Sequence, residues 1–408
     1  MRLTGPEPPG EVGRNLRDFS RYAVPSTLGA GFVAALLGCT GTALLVYQAA
    51  TGAGYPGEVI NSWFFAIFVG GGLLSLLLAF LYREPICGAY PIAGSALLVT
   101  VLDGYSLSEA VGAFLVSGVL VLLIGVTGLF DAVMARVPNE VIMGALAGIL
   151  LPFGVEVFAL LPGQPLLIGA MVAAFLVGVR LVHAVPPALL ALVAGFVVAG
   201  ASGRFEVGEV EVALSRPVLV WPAFDWGAIV SIAVPLTLLA VATQNAPGVG
   251  ILRANGYSPP ANAITIFSGI GSILTAPLVG NGVNIAAPMT AVCAGPESHP
   301  APEGRYVASI AQGLLFVAFG LVGATAISLL RALPPALIAG VAGLTLLPVI
   351  LQALRFSVGG TNHALAAGVA LLIGASNLTI LGVGSAFWAI VAGVALAKLL
   401  RQDGEKLP

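Results

Sequence analysis

The residues able to do chemistry are few, and the first cluster is Thr243-Gln244-Asn245, followed after Ala246 by Pro247-Gly248. Two side-chain amides can donate hydrogen bonds to a carboxylate while staying neutral. Pro247-Gly248 is expected to break the helix just after them. The alternative is that both amides bond between helices. Asn284 reads either as the N-cap of a helix or as a ligand contact, and Asn281 lies between Gly280 and Gly282, where it can simply shape a turn. Cys39, Thr40 and Thr42 are small polar residues in an apolar stretch, suited to close helix packing or to a ligand contact. Acids are scarce in the apolar stretches. Glu156 is the candidate proton relay, with an interfacial carboxylate as the alternative, and Glu140 follows Pro138-Asn139 at a helix start, where a carboxylate suits the dipole. Gly269-Ile-Gly271 and Gly382-Val-Gly384 lie within apolar stretches and open no strand–helix unit, so they are not nucleotide fingerprints. No metal-ligand spacing, nucleophile triad or phosphate loop is present, and no metal or other cofactor is expected.

These groups need backbone that places them. Stretches 86–102 and 280–295 are short and broken by Gly and Pro. We read 86–90 and 279–283 as extended segments, each leading into a half-helix that begins near Pro91 and near Asn284. Pro91 suits a first helical turn, where its missing N–H costs nothing. Each half-helix N-terminus carries about half a positive charge. Two facing termini therefore suit a monovalent anion without a buried lysine or arginine. The alternative is that Pro91 and Pro288 are only kinks.

The composition says what surrounds these elements. Of 408 residues, 8% are charged and 58% hydrophobic, against about 25% charged in a soluble domain. This is a polytopic membrane chain in a lipid bilayer. Net charge is −2, so nothing points to nucleic acid, and the three cysteines form no disulfide framework. Hydropathy gives about 14 transmembrane segments, among them 108–130, 138–161, 227–249, 305–330 and 334–354. With a cytoplasmic N-terminus, only Arg204, Arg216 and Arg331 of the 16 basic residues fall outside, in keeping with the positive-inside rule. Glu297, His299 and Glu303 fall in a cytoplasmic loop and read as solvated, while His183 and His363 sit near cytoplasmic ends with no special role.

An internal repeat orders the spans. Gly118, Gly125, Gly128 and Arg136 recur 195 residues later as Gly313, Gly320, Gly323 and Arg331; Pro138, Ile142, Gly144 and Pro152 recur 196 later as Pro334, Ile338, Gly340 and Pro348. The offset is seven spans, an odd number, so the halves insert in opposite senses. A 7+7 inverted repeat with two interrupted spans predicts a transporter with its substrate near the midplane. The expected organisation is a cytoplasmic tail 1–24, a first repeat 25–201, an external loop 202–226, a second repeat 227–400 and a cytoplasmic tail 401–408.

The residues also carry a family likeness. Gln244-Asn-Ala-Pro-Gly-Val-Gly-Ile-Leu-Arg-Ala-Asn-Gly-Tyr257 with Pro259-Pro260 resembles a signature of the benzoate/proton symporters, the BenE family. Asn284-Ile-Ala-Ala with Thr290-Ala-Val-Cys-Ala-Gly295, Glu297, His299, Arg305 and Tyr306 is similar to a second, and Gly382-Val-Gly-Ser-Ala-Phe-Trp388 to a third. The resemblance covers most of the chain. It implies import of benzoate or a similar aromatic carboxylate with a proton, by core and gate domains moving in alternating access. It also implies the architecture of uracil/xanthine permeases, a bacterial inner-membrane location and no enzymatic activity; a homodimer is compatible with it. In those permeases an acid stands where Gln244 stands here, and an amide there removes repulsion against an anion. Asn281 replaces a usual His, Pro288 a branched aliphatic, and Ala89-Tyr-Pro-Ile-Ala-Gly-Ser95 a different run. The expected substrate contacts are Gln244, Asn245, Asn284, Ile285, Asn281, Pro91, Ile92, Thr40 and Cys39, with Tyr90 as an aromatic wall. The rival readings are a nucleobase permease on the same fold and a channel-like anion pore.

Overall fold

A computed structural model describes residues 5–39, 41–129, 138–181, 187–203, 213–331, 333–359, 363–376, 378–380 and 383–400. Among them, helix dominates because apolar backbone out of water must satisfy its own N–H and C=O groups. Eight helices are long and apolar enough to cross a membrane, by length and composition: Pro25–Gly52, Gly57–Tyr82, Leu107–Val126, Asn139–Ala159, Trp226–Ala254, Ala261–Leu278, Pro302–Leu321 and Pro335–Val358. Five shorter apolar helices accompany them, Ile92–Gly104, Pro165–Arg180, Pro187–Ala201, Ala364–Ala375 and Ser385–Leu399. Large apolar side chains point outward, among them Leu166, Leu274 and Leu372. In water such a surface would be an aggregation liability; in lipid it is the expected exterior.

Seven elements build the site. They are α1 (Gly57–Tyr82), β1 (Gly88–Ala89), α2 (Ile92–Val101), α3 (Asn139–Ala159), α4 (Trp226–Ala254), β2 (Asn284–Ile285) and α5 (Ala287–Ala294), with α6 (Pro335–Val358) closing it. Helices approach closely at glycine. A Cβ on Gly118 would lie 2.8 Å from the Ile273 nitrogen, in the helix at 261–275. At its repeat mate Gly313 a Cβ would meet the Gly72 carbonyl in α1 at 2.8 Å. A Cβ on Gly144 of α3 would lie 2.3 Å from the Ala367 carbonyl, and one on its mate Gly340 would lie 2.8 Å from the Met171 side chain. Gly118 and Gly313 thus pack on the helix at 261–275 and on α1, and Gly144 and Gly340 on the helices Ala364–Ala375 and Pro165–Leu181.

The two interrupted stretches meet each other. β1 and β2 pair antiparallel, Gly88 opposite Ile285 and Ala89 opposite Asn284, extended by Ala286 N–H to the Cys87 carbonyl at 2.8 Å. The first segment falls as expected. The second does not: 279–283 forms the turn, with Val279 at φ 70° and Gly282 at φ 123°. The strand comes at Asn284–Ile285 and the half-helix starts at Ala287. The reason is that Gly282 supplies a conformation L-residues rarely adopt, which delays the extended run until after it. Asn284 is therefore a strand residue and not a helix cap. Pro288 occupies the first turn of α5, where a missing N–H is tolerated, and Pro91 is the N-cap of α2.

Pro247-Gly248 does not end its helix. Residues Val241–Asn245 form a π-helical turn and the helix runs on to Ala254. The wider turn absorbs a proline that cannot donate to the ordinary i−4 carbonyl. Residues 5–24 hold a helix, Val12–Tyr22, fastened to the membrane helices. Tyr306 donates to the Asn15 carbonyl at 2.6 Å, and Asp18 pairs with Arg83 at 2.8 Å. The Glu7 carboxylate accepts from the Asn262 and Ala263 N–H groups at 3.0 and 2.8 Å, capping the helix at 261–275. Thr40, Arg136, His183, Arg204, Gly382 and the segment 401–408 lie outside the described residues.

Candidate functional site

The strand pair is held by side chains from neighbouring helices, which satisfy edges a two-residue ladder leaves open. Ser75 of α1 accepts from Gly88 N–H at 2.5 Å and donates to Gln312 Oε1 at 2.5 Å, while Gln312 Nε2 donates to the Gly88 carbonyl at 3.3 Å. Ser272 accepts from Val283 N–H at 2.8 Å. Gly88 allows this fit: a Cβ there would sit 2.3 Å from the Gly71 carbonyl.

At the far side of this crossing lies a cavity of about 390 Å³, within the usual range for a small-molecule pocket. Its walls come from five elements. Ile92 and Ala93 open α2, and Ala287 and Pro288 open α5. Thr243, Gln244, Pro247 and Ile251 form one face of α4. Met143, Leu146 and Leu150 of α3 stand opposite, with Val349, Gln352 and Ala353 of α6. Both half-helix N-termini thus reach one cavity, with the π-helical turn placing Gln244 beside them. Gln244 is 7% exposed, and its Oε1 is buried without a hydrogen-bond partner among the described residues. The Thr243 hydroxyl is spent on the Leu239 carbonyl at 2.6 Å.

The other expected contacts are placed differently. Asn245 turns to the strand: its Oδ1 accepts from Ile285 N–H at 3.0 Å. Asn281 bridges Trp63 Nε1 at 3.1 Å and Ser95 Oγ at 3.0 Å. Ser95 in turn donates to the Pro91 carbonyl at 3.1 Å. Tyr90 donates to the Gly38 carbonyl at 2.8 Å and packs edge-on against Phe68. Ile285 packs on Gly248 and an apolar cluster with Leu74, Ile86 and Leu252. Cys39 is partly buried at the end of the helix Pro25–Cys39, and Glu156 is exposed near the end of α3. Asn284 is fully buried, and neither side-chain atom has a partner among the described residues. An amide in that condition is normally met by water or a ligand. Of the expected set, Gln244 and Ile92 line the cavity, Pro91 caps the half-helix beside it, and Thr40 is not described.

Sequence reasoning missed Gln352. It lies on one face of α6 with Pro348, Arg355 and Gly359, at helical spacings of four, three and four. Polar residues on one stripe of an apolar helix were the available signal. Gln352 also lines a second cavity of about 840 Å³, with Asn139, Glu140, Arg355 and Phe356. The two cavities therefore adjoin at the end where α3 begins and α6 finishes.

Sequence reasoning also passed over Glu84, just before β1. Burial pushes its carboxyl up to about 7, and the Ser258 backbone N–H opposes the shift. One carboxylate oxygen is buried and unpaired among the described residues. Tyr257 stands near it, and Arg305 and Glu303 stand near Tyr257 in turn. Arg305 reaches on to the Ala294 carbonyl at 2.8 Å, at the C-terminal end of α5.

Residues 21–399 match the model of the family described as benzoate membrane transport protein. The inner membrane protein YdcO of Escherichia coli (strain K12) is 38% identical over 372 residues, 90% of this chain and 94% of that protein. The benzoate membrane transport protein of Acinetobacter baylyi (strain ATCC 33305 / BD413 / ADP1) is 30% identical over 365 residues, 90% of this chain and 92% of that one. Among solved structures, the transmembrane domain of a cyanobacterium bicarbonate transporter, BicA, superposes with a TM-score of 0.62 at 16% identity, covering 95% of this chain and 97% of that one. SLC26A9 does so with a TM-score of 0.66 at 15% identity, covering 93% of this chain and 65% of that one. At these identities the likeness is one of fold.

Proposed function

The chain belongs to the benzoate membrane transport protein family, and from that premise we propose that it imports benzoate or a similar aromatic carboxylate together with a proton. It is a multi-pass membrane transporter. The carrying observation is the single cavity shared by the N-termini of α2 and α5, Gln244 and apolar walls. Half-helix N–H groups and a neutral amide suit the carboxyl end of such a molecule. Met143, Leu146, Leu150 and Val349 suit its ring.

The proposed architecture is fourteen spans in a 7+7 inverted repeat, with both termini cytoplasmic in a bacterial inner membrane. The antiparallel β1–β2 crossing and the paired glycine contacts support it. The core carries α1, the crossing, α4 and the half-helices; α3 and α6 belong to the gate. Alternating access then rocks gate against core around a midplane site. The adjoining 840 Å³ cavity is the cytoplasmic vestibule of an inward-open state, with Arg355 at its wall. A proton is required on energetic grounds. Bringing an anion into a negative-inside cell costs about 2.3 kcal/mol per 100 mV, and one co-moving proton cancels it.

Purified protein tests this by thermal shift and calorimetry with benzoate, uracil, sulfate and bicarbonate. Stabilisation by benzoate alone, lost in Gln244→Glu, is the expected result. A response to uracil or to the inorganic anions, and none to benzoate, would sink the reading.

A further inference from the structure

A symporter must put its proton somewhere, and the cavity offers no protein group for it. Among the described residues lining it there is no Asp, Glu, His, Cys, Tyr, Lys or Arg. Glu140 and Arg355 line the neighbouring cavity. Glu156 is exposed near the end of α3, and Glu84 lies in the turn between α1 and β1, not on the cavity wall. Several other acids are committed to structure: Glu7 caps one helix, Glu109 closes a capping box with Ser106, and Asp225 caps α4.

Resting on the reading of this cavity as the aromatic-acid site, we propose that the transported proton rides on the substrate itself. The cavity binds the neutral carboxylic acid. The carboxylate takes one proton from water on entering, its oxygen gaining an O–H bond, and returns that proton to water on leaving. No protein group changes charge.

Three observations carry this. First, the polar groups are mixed. The half-helix termini present donors at Ile92, Ala93 and Ala287, while Gln244 brings an amide whose Oε1 accepts nothing among the described residues. A carboxylate can only accept; a carboxylic acid accepts through C=O and donates through O–H, so it satisfies both kinds of group. Second, Pro288 stands at the second position of α5 and removes one N–H from the set that would otherwise hold an anion. Third, the walls are mainly aliphatic. They disfavour the charged form of a bound carboxyl as they would that of a buried glutamate, by as much as about 3 to 5 pK units. A neutral cargo also crosses the gate without carrying a bare charge past Leu146 and Val349.

The test is calorimetry of benzoate binding to the intact protein at pH 7, in two buffers of different ionisation enthalpy. The expected result is uptake of one proton per benzoate. The apparent Kd for total benzoate should weaken about tenfold per pH unit between pH 6 and 8, by linkage. Benzamide, a neutral molecule of the same shape that can also donate, should compete with an affinity independent of pH. Benzoate binding without proton uptake, with flat affinity and no competition by benzamide, would overturn the inference while leaving the aromatic-acid reading intact. Proton uptake present in the native protein but abolished in Glu84→Gln would also overturn it, placing the proton on the protein. Absence of benzoate binding at every pH would remove both.

Discussion

At the scale of single residues, adjacent amides have opposite duties. Gln244 faces the cavity with an oxygen that has no partner among the described residues, and Asn245 holds the Ile285 N–H of the crossing strand. Gln244→Leu should weaken benzoate binding about tenfold, the worth of a hydrogen bond made in a dry site, and leave the melting temperature nearly unchanged. Asn245→Ala should do the reverse. It strands a buried N–H, costing about 1–3 kcal/mol of stability by thermal unfolding, while binding in the folded fraction moves little. Equal loss of affinity in both variants would contradict this division. Glu84 supplies a pH prediction. Its folded-state value, pushed up to about 7, lies above the ordinary carboxyl value of 4.5. Between those values the folded protein holds a proton that the unfolded chain has released, so stability falls as pH rises from about 4.5 to about 7. Glu84→Gln should flatten that part of the melting-temperature profile; an unchanged slope would place the effect elsewhere. The sequence displayed the Thr243-Gln244-Asn245 cluster but not which amide faces the cavity. A π-helical turn decides that, and it leaves no mark in residue types beyond Pro247.

At the scale of elements, the two Gly/Pro-broken stretches were legible as interrupted spans because both are too short to cross as helices. Their meeting point was less legible. The second strand lies later than expected because the positive-φ residues Val279 and Gly282 extend the turn. That shift moved Asn284 from a helix cap into the strand and Pro288 into the first helical turn. Pro288→Ala should restore an N–H at the α5 terminus and strengthen binding of charged benzoate, seen as a shallower dependence of Kd on pH. An unaltered pH dependence would show that this terminus does not address the carboxyl group. The Gly88 site admits no side chain, since Gly71 and Ser75 backbone atoms lie 2.3 and 2.7 Å from its would-be Cβ. Gly88→Val should abolish folded protein, as judged by gel filtration in detergent. The contacts of Asn281 and Tyr90 were not legible, because hydrogen bonds to Trp63, Ser95 and Gly38 join residues far apart in the chain.

At the scale of the whole molecule, the membrane class was legible in the composition, with 8% charged and 58% hydrophobic residues. Apolar helices and outward-facing leucines agree with a chain read as a polytopic membrane protein. What a sequence could not display is conformational state, which depends on how α3 and α6 stand against α4. Here the cavity at the half-helix termini adjoins the larger cavity at Gln352. The most direct test of the account is uptake of labelled benzoate into sealed proteoliposomes, with an inward proton gradient imposed and the membrane potential clamped. The account predicts saturable accumulation that collapses when the gradient is dissipated and is lost in Gln244→Leu. Uptake indifferent to the proton gradient, or retained in full by that variant, would contradict it.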